Sequence, residues 1–191
     1  MKKIAYFHGF MSSAQSSKTE MLKECLPEFE IIAPDIPVDP IYALPFLKDL
    51  CRIEQPDIVL GKCMGGMYAQ QMSGFKRICI NPAFFMSRFS KILKIGTIDF
   101  FNNRKDGSTQ FTITQETIDH FANMEEHQFD SIDQFDKENV YGLFVENEDT
   151  KRYLSIFQQF YKYHQYFPKT HRIDFQFVKT IIAPLITRIT S

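Results

Sequence analysis

The sequence predicts an α/β fold with a mostly parallel central sheet and helices on both faces. Short apolar runs alternate with amphipathic stretches along the chain, which is the pattern of βαβ units. The 191 residues are enough to bury one core, so we expect a single domain over 1–191. With 44% hydrophobic and 24% charged residues, the composition is that of an ordinary globular protein.

The charge and the apolar pattern argue against several classes of function. The formal net charge is −1 and the 22 Lys and Arg residues are scattered, so we expect no nucleic-acid partner. No apolar run approaches the roughly 20 residues that cross a bilayer, and the chain shows no signal-peptide pattern, so we expect no membrane partner. The four cysteines have no CxxC spacing, which indicates reduced thiols in a cytoplasmic protein.

The first half of the chain contains the repeated β and α segments that support this fold. We predict strands at 3–7, 30–33, 57–60 and 77–80, where short apolar runs are bounded by turn residues. Apolar residues recur at helical spacing at 21–26, at 41–51 and in a helix that begins at Met64.

The second half is less regular. Residues 83–138 are rich in Phe and broken by a polar turn cluster at 102–108, so we expect a helical cap or insertion there. Further predicted elements are a strand at 140–145, a helix at 153–161, a strand that includes 166–167, and a closing helix at 178–189 kinked at Pro184.

The turn Gly61-Lys62-Cys63-Met64-Gly65-Gly66 lies between a predicted strand and a predicted helix. A nucleophile at the end of a strand needs a sharp, strained turn, and small residues two positions on either side relieve the crowding. Gly61 and Gly65 supply that space, Gly66 lets the helix pack closely, and Cys63 occupies the nucleophile position. This arrangement indicates the α/β-hydrolase fold with a cysteine nucleophile. The alternative is an inert, buried cysteine beside a glycine turn.

The same turn leads to two further expectations. Cys63 lies at the start of a helix, whose positive dipole end is expected to lower the pKa of the thiol. An oxyanion hole is expected from two backbone amides, that of Phe10 in the loop after the first strand and that of Met64 after the nucleophile. We interpret His8 as a structural member of that loop, because the base of such enzymes comes near the C-terminus.

In this fold the acid and the base follow the nucleophile along the chain. His171 is our candidate base, because it lies in a loop between the last predicted strand and the closing helix. Asp149 is our candidate acid on spacing, with Glu148 second, and both follow the strand at 140–145. The alternative is that this acidic cluster only caps the next helix. His120 and His127 are expected on a solvated helix face, and we expect no metal and no cofactor.

Several short motifs together resemble one family. They are Tyr6-Phe7-His8-Gly9-Phe10, Pro34-Asp35-Ile36-Pro37, the Cys63 turn, Ile80-Asn81-Pro82-Ala83, and the spacing of Asp149 and His171. The chain resembles the YqiA/YcfP-like family of small bacterial α/β-hydrolase esterases, and the resemblance implies ester hydrolysis with Asp149 as acid and His171 as base. That family has a G-x-S-x-G-G turn, whereas this chain has cysteine there. Dienelactone-hydrolase-like enzymes are similar in using cysteine in the same turn.

The sequence therefore predicts a hydrolase that cleaves a small-molecule ester, thioester or lactone through a Cys63-His171-Asp149 triad. The alternative is a non-catalytic homologue that binds a ligand or senses oxidants through Cys63. A third interpretation is that 83–138 forms a protein-binding surface rich in Phe.

Overall fold

The computed structural model describes residues 1–89, 93–147, 149–170 and 173–191. Six strands form one sheet in the order β2-β1-β3-β4-β7-β8, and every neighbouring pair in it is parallel. Its strands are β1 (Lys2–Phe7), β2 (Phe29–Ile32), β3 (Ile58–Lys62), β4 (Arg77–Ile80), β7 (Val140–Val145) and β8 (Tyr163–Phe167). The predicted mostly parallel α/β architecture is confirmed.

Helices connect the strands and cover both faces of the sheet. They are α1 (Ser17–Cys25), α2 (Pro40–Glu54), α3 (Met64–Gln70), α4 (Gln115–His127), α5 (Gln134–Asn139), α6 (Thr150–Phe160), α7 (Phe175–Phe177) and α8 (Ala183–Thr190). Their starts follow local sequence: Asp39 accepts a hydrogen bond from the Ile41 amide at 3.0 Å, and Pro40 occupies the first turn of α2. Within the described ranges, no helix combines the length and the apolar character needed to span a bilayer.

The alternation of side chains along the strands produces two separate cores. Ile4 and Tyr6 of β1 face a layer that contains α1 and α8, while Ala5 and Phe7 face a layer built on α2, α3 and α6. Both sets of β1 side chains are almost completely buried. Burial on both faces explains why these strands read as continuous apolar runs in the sequence.

The insertion at 83–138 contains helices, as predicted, and also a pair of strands that the sequence did not indicate. Besides α4, α5 and a 3-10 turn (Met86–Arg88), it contains an antiparallel hairpin of β5 (Gly96–Asp99) and β6 (Gln110–Ile113). Ile98 and Phe111 are half-buried on the inner face, whereas the hydroxyls of Thr97 and Thr112 pair outside at 3.3 Å. Two four-residue strands show too short an alternation to be recognised in the sequence.

A buried polar network fastens this insertion to the sheet. The guanidinium of Arg77 in β4 pairs with the Asp136 carboxylate of α5, and both side chains are fully buried. The Gln70 amide donates to the Gln128 carbonyl at 3.0 Å, and the Tyr161 hydroxyl donates to the Gln70 side chain. Because a buried polar group without a partner is costly, these contacts fix where α4, α5 and α6 lie.

The C-terminal part differs in detail from expectation. β8 (Tyr163–Phe167) includes the predicted 166–167 and begins three residues earlier, and its residues up to Tyr166 are exposed, as is common on an edge strand. The closing helical segment contains a π-helical turn at Val178–Ile182 immediately before α8. Pro184 has no amide proton to donate, and it lies in the first turn of α8 directly after this wider turn.

Candidate active site

Cys63 joins β3 to α3 in a strained backbone conformation, with φ 55° and ψ −119°. Non-glycine residues rarely adopt positive φ unless the surroundings enforce it. Here the Cys63 amide donates to the Ile80 carbonyl at 2.9 Å, and the Cys63 carbonyl accepts from the amides of Ala83 and Met67 at 3.1 Å each. These bonds to β4, to the segment after it and to α3 hold the turn and project the side chain from the sheet edge.

The glycines of this turn occupy positions where no side chain fits. A Cβ on Gly61 would lie 2.1 Å from the Gly65 carbonyl oxygen, and a Cβ on Gly65 would lie 2.0 Å from the Phe7 carbonyl oxygen. Gly66 is less crowded, since its Cβ would lie 3.1 Å from the Pro82 Cα. The turn therefore depends on glycine at 61 and 65, and it brings α3 directly against β1 and β3.

The protonation of the Cys63 thiol differs from the sequence prediction. The side chain is partly exposed, yet burial raises the pKa of the thiol above its usual value. A hydrogen bond from the Met64 amide and the charge of Lys62 both lower this pKa, but their effect is smaller. The expected lowering of the pKa was wrong because desolvation of the thiol outweighs the hydrogen bond from the first amide of α3. At neutral pH the thiol is therefore mainly protonated.

The loop after β1 lies against Cys63. A Cβ on Gly9 would lie 3.6 Å from the Cys63 Cβ, and the Ser12 amide closes a turn by donating to the Gly9 carbonyl at 3.2 Å. In the described part of the chain, no carbonyl accepts a hydrogen bond from the Phe10 amide. The amide of Met64 lies within hydrogen-bond reach of the Cys63 sulfur. The Met64 amide is thus beside the thiol, and the loop that contains Phe10 lies against the same turn.

His8 has a structural role in this loop, as its sequence position indicated. Its Nε2 accepts a hydrogen bond from the Ile36 amide at 3.1 Å, so the ring proton is assigned to Nδ1, which donates to the Gly9 carbonyl at 2.8 Å. Burial lowers the pKa of His8 to about 4. Both nitrogens of this neutral ring are occupied, so His8 is not available as a base for Cys63.

The hairpin of the insertion holds the same loop from outside. The Phe101 amide donates to the Met11 carbonyl at 2.8 Å, and the ring of Phe111 meets that of Phe10 edge-on at 5.5 Å. The Asp35 carboxylate accepts from the Ala14 amide at 2.7 Å and from the Lys105 amide at 2.6 Å. Asp35 therefore links the loop after β1 to the turn of the hairpin.

The candidate acid Asp149 lies directly before α6, after the strand β7. Among the described residues no amide of the helix bonds to its carboxylate. Instead, the side-chain oxygen of Asn147 accepts from the amides of Asp149 and Thr150 at 3.0 Å each. The sequence left open that the acidic cluster only caps this helix. Asn147 caps it instead, so the Asp149 carboxylate does not serve as the helix cap. Glu148, the second candidate acid, is outside the described residues.

The candidate base His171 also lies outside the described residues. The structure describes the approach to it: the Glu146 amide donates to the Phe167 carbonyl at 2.9 Å, and the Glu146 carboxylate accepts from the Lys169 amide at 3.4 Å. β3, β7 and β8 are parallel, so the segments that follow them share one edge of the sheet. One strand separates β3 from β7, which corresponds to about 10 Å between those two strands.

Two residues near the site had no role assigned to them from the sequence. Asn81, with φ 41°, donates to the Val145 carbonyl at 3.2 Å and accepts from the Val145 amide at 2.7 Å, so it ties the end of β4 to the end of β7. Burial raises the pKa of the Tyr153 phenol, and the charges of Asp149 and Cys63 raise it further. Tyr153 thus lies in the region that both groups influence. A polar Asn-Pro pair directly after a buried strand was the available sequence signal for Asn81.

The remaining histidines lie away from the turn. The Nδ1 atom of His120 lies 3.0 Å from the Asp39 carboxylate, and that of His127 lies 2.8 Å from the Asp130 carboxylate. Both histidines line a groove of about 350 Å³ between α2 and α4, and Cys63 is not part of its lining. His164 belongs to the edge strand β8. Over the described ranges, no three His, Cys, Asp or Glu side chains are grouped to hold a metal ion.

Solved structures share the architecture of this chain. The ferulic-acid-bound Est1E of Butyrivibrio proteoclasticus superimposes with a TM-score of 0.66 at 14% identity, over 98% of this chain and 89% of that one. The monoacylglycerol lipase of Paleococcus ferrophilus gives 0.65 at 12% identity, over 98% and 93%. The serine hydrolase FphF of Staphylococcus aureus gives 0.63 at 13% identity, over 100% and 84%. The chain has the α/β-hydrolase fold.

A match to a family model shows which sequence family this chain belongs to. Residues 3–167 match the uncharacterised protein family UPF0227, which is the YqiA/YcfP-like family that the motifs indicated. Because the match covers most of the chain, the protein belongs to this family. The matched residues include the turn at Cys63 and the candidate acid Asp149, and they end at the last residue of β8.

Proposed function

We propose that this protein hydrolyses a small ester, thioester or lactone with Cys63 as nucleophile, His171 as general base and Asp149 as the acid that orients His171. The observation that carries the proposal is the backbone of Cys63, held at φ 55° and ψ −119° at the end of a parallel strand. A strained, over-determined conformation of this kind is typical of functional sites. The fold that the chain shares with an esterase, a lipase and a serine hydrolase supports the reaction class.

The raised thiol pKa defines how the first step proceeds. Because the thiol is mainly protonated at neutral pH, His171 removes its proton as the sulfur attacks the substrate carbonyl. The new carbon–sulfur bond converts the carbonyl oxygen to an oxyanion, which the amides of Phe10 and Met64 stabilise. When the intermediate collapses, the bond to the alcohol or thiol leaving group breaks and the leaving group takes the proton from His171.

The second step releases the acyl group. His171 removes a proton from a water molecule that attacks the thioester on Cys63. The carbon–sulfur bond then breaks, the sulfur regains a proton from His171, and a carboxylic acid leaves. Asp149 accepts a hydrogen bond from the imidazole throughout, so that the nitrogen facing Cys63 can receive the proton.

The raised pKa also weighs against the alternative role in sensing oxidants. Oxidation proceeds through the thiolate, and a sensor cysteine combines a low pKa with exposure. At Cys63, burial raises the pKa of the thiol and limits its exposure to oxidants. The same environment suits a nucleophile that is deprotonated only during attack by a positioned base.

Trapping the acyl-enzyme tests the proposal directly. The protein is incubated briefly with para-nitrophenyl butyrate, acidified and digested, and the peptides are analysed by mass spectrometry. We expect a butyryl group on the peptide that contains Cys63 and none on that peptide in Cys63→Ala. Cys25→Ala, which removes a partly exposed thiol of α1, is the matched control and should still acylate at Cys63. Acylation confined to Cys25, or no acylation and no turnover, would contradict the proposal.

A further inference from the structure

Two arginines converge on one aromatic ring at the edge of the candidate site. The guanidinium carbon of Arg88, from the 3-10 turn, lies 4.7 Å from the centroid of the Phe85 ring, and that of Arg152, from α6, lies 5.3 Å from the same centroid. The two charges are therefore no more than about 10 Å apart, a separation comparable to the screening length of about 8 to 10 Å at moderate salt. Both arginines are exposed, and Phe85 is half-buried between their two elements.

The segment that carries Phe85 and Arg88 is hydrogen-bonded to the turn at Cys63. Phe85 is two residues after Ala83, whose amide donates to the Cys63 carbonyl at 3.1 Å. The Phe85 ring also packs against Tyr153 at 6.5 Å between centroids, and the charge of Cys63 influences the pKa of that tyrosine. Arg152 precedes Tyr153 directly and follows the candidate acid Asp149 by three residues. The arginines thus border the same sheet edge as the reaction proposed above.

The charge of Arg88 acts on the buried Glu125 carboxylate, whose pKa it lowers against the larger effect of burial, and that of Arg152 acts on the Tyr153 phenol. Neither guanidinium is in direct contact with a carboxylate among the described residues. The nearby Glu125 carboxylate is bonded to the amide and the hydroxyl of Ser87, at 2.8 and 2.5 Å. Asp149 is assigned to His171 in the proposed mechanism. Two like charges held beside one ring repel each other, so an anion between them would be stabilised.

We infer that the substrate of this site carries a carboxylate, which Arg88 and Arg152 bind while the Phe85 ring contacts the adjoining carbon chain. Stacking on an aromatic ring uses the flat face of a guanidinium, and its N–H edge stays available for a carboxylate. Such charge-assisted hydrogen bonds are stronger than neutral ones. The inference rests on the proposed function, and it narrows the substrate from esters in general to esters that bear a carboxylate.

Matched ester pairs test this inference. On the acyl side, para-nitrophenyl monoadipate is compared with para-nitrophenyl hexanoate, which has the same leaving group and carbon count. On the leaving-group side, para-butyryloxybenzoate is compared with its neutral methyl ester. We expect kcat/KM to favour the carboxylate by about tenfold in one of these pairs, a preference that weakens as salt is added. The ester pair that shows this preference tells whether the acyl group or the leaving group of the substrate faces Phe85.

Charge variants assign the preference to these residues. Arg88→Gln and Arg152→Gln are each expected to reduce the ratio of the two kcat/KM values by about threefold or more, and the double variant to abolish it. Arg52→Gln is the matched control, because Arg52 is an exposed arginine of α2 paired with Asp49, and it should leave the ratio unchanged. Equal rates within both pairs, or a preference that persists in the double variant, would overturn the inference.

A binding measurement separates this inference from the proposed function. If neither member of any pair is hydrolysed, the proposed function fails, and the inference is then decided by calorimetric titration of the wild type with monomethyl adipate. Binding that is lost in the Arg88→Gln, Arg152→Gln double variant and kept in Arg52→Gln supports the arginine site. No binding to the wild type, or equal binding to all variants, overturns it.

Discussion

The turn at Cys63 and the loop after β7 serve the same proposed site, but they are held in different ways. The turn is fixed by lack of space, since a Cβ on Gly65 would lie 2.0 Å from the Phe7 carbonyl oxygen. The loop after β7 is fixed by side-chain amides, with Asn81 bonded to both backbone groups of Val145 and Asn147 bonded to the first amides of α6. Crowding leaves a signature in the local sequence, whereas contacts between strands do not.

The largest effect is expected where crowding is greatest. Gly65→Ala forces a Cβ onto the backbone of β1, and we expect a loss of about 3 kcal/mol or more in the free energy of unfolding. Gly66→Ala is the matched control, because its Cβ would lie 3.1 Å from the Pro82 Cα and a small shift relieves it. We expect that variant to lose at most about 1 kcal/mol. Urea denaturation measures both, and equal losses would contradict the account of the turn.

The next effect concerns the carboxylate of the loop after β7. Asp149→Asn should lower kcat/KM by about two orders of magnitude or more, because an amide in that position no longer fixes the correct tautomer of the histidine. Glu146→Gln, which changes a neighbouring carboxylate that bonds the Lys169 amide, should change kcat/KM by less than about threefold. Steady-state hydrolysis of para-nitrophenyl butyrate measures both. Small and equal effects would mean that Asp149 has no part in the reaction.

A smaller effect is expected at the neighbouring cap. Asn147→Ala removes the acceptor for the amides of Asp149 and Thr150, and loss of a helix cap costs about 1 kcal/mol. This variant should lose stability with a modest change in turnover, whereas Asp149→Asn should lose turnover with little change in stability. Thermal unfolding and initial rates, measured on both variants, test whether stability and turnover respond in these opposite ways. Asn147→Ala with unchanged unfolding would remove Asn147 from the cap.

The smallest effect is a change in the shape of a pH profile. Because burial raises the pKa of the Cys63 thiol, its alkylation by iodoacetamide should still accelerate above the ordinary thiol pKa of about 8.5. Peptide mapping follows the four cysteines separately, and Cys51 and Cys79, both buried with their pKa raised to about 12, should react slowest. A Cys63 rate that levels off near neutral pH would show a thiolate already formed.

The sheet and the turn at Cys63 were predictable because their causes are local. The strands of the buried sheet read as apolar runs, and the two glycines around Cys63 report a close approach of α3 to β1 and β3. The hairpin β5–β6 was missed because its strands have four residues each, and its position depends on Asp35 and Met11 far away in the sequence. Its turn cluster at 102–108 was recognised, but not the strands on either side.

The properties that depend on tertiary surroundings were the least predictable. The helix start after Cys63 favoured a low thiol pKa, but burial by the surrounding segments of the protein raises that pKa instead. Asn81 shows its role only when β4 and β7 are placed side by side. Asp149 was chosen by spacing alone, and its catalytic role stays a prediction, as does that of His171.

The central claim is that Cys63 is a working nucleophile rather than a remnant of a serine enzyme. Cys63→Ala should abolish hydrolysis of para-nitrophenyl butyrate, with Cys25→Ala unchanged as the control. Cys63→Ser should be slower than the wild type by roughly two orders of magnitude, because a hydroxyl depends far more on the general base than a thiol does. The comparison of these four proteins in one assay is the most direct measurement. Activity that rises in Cys63→Ser, or that survives in Cys63→Ala, would contradict the claim.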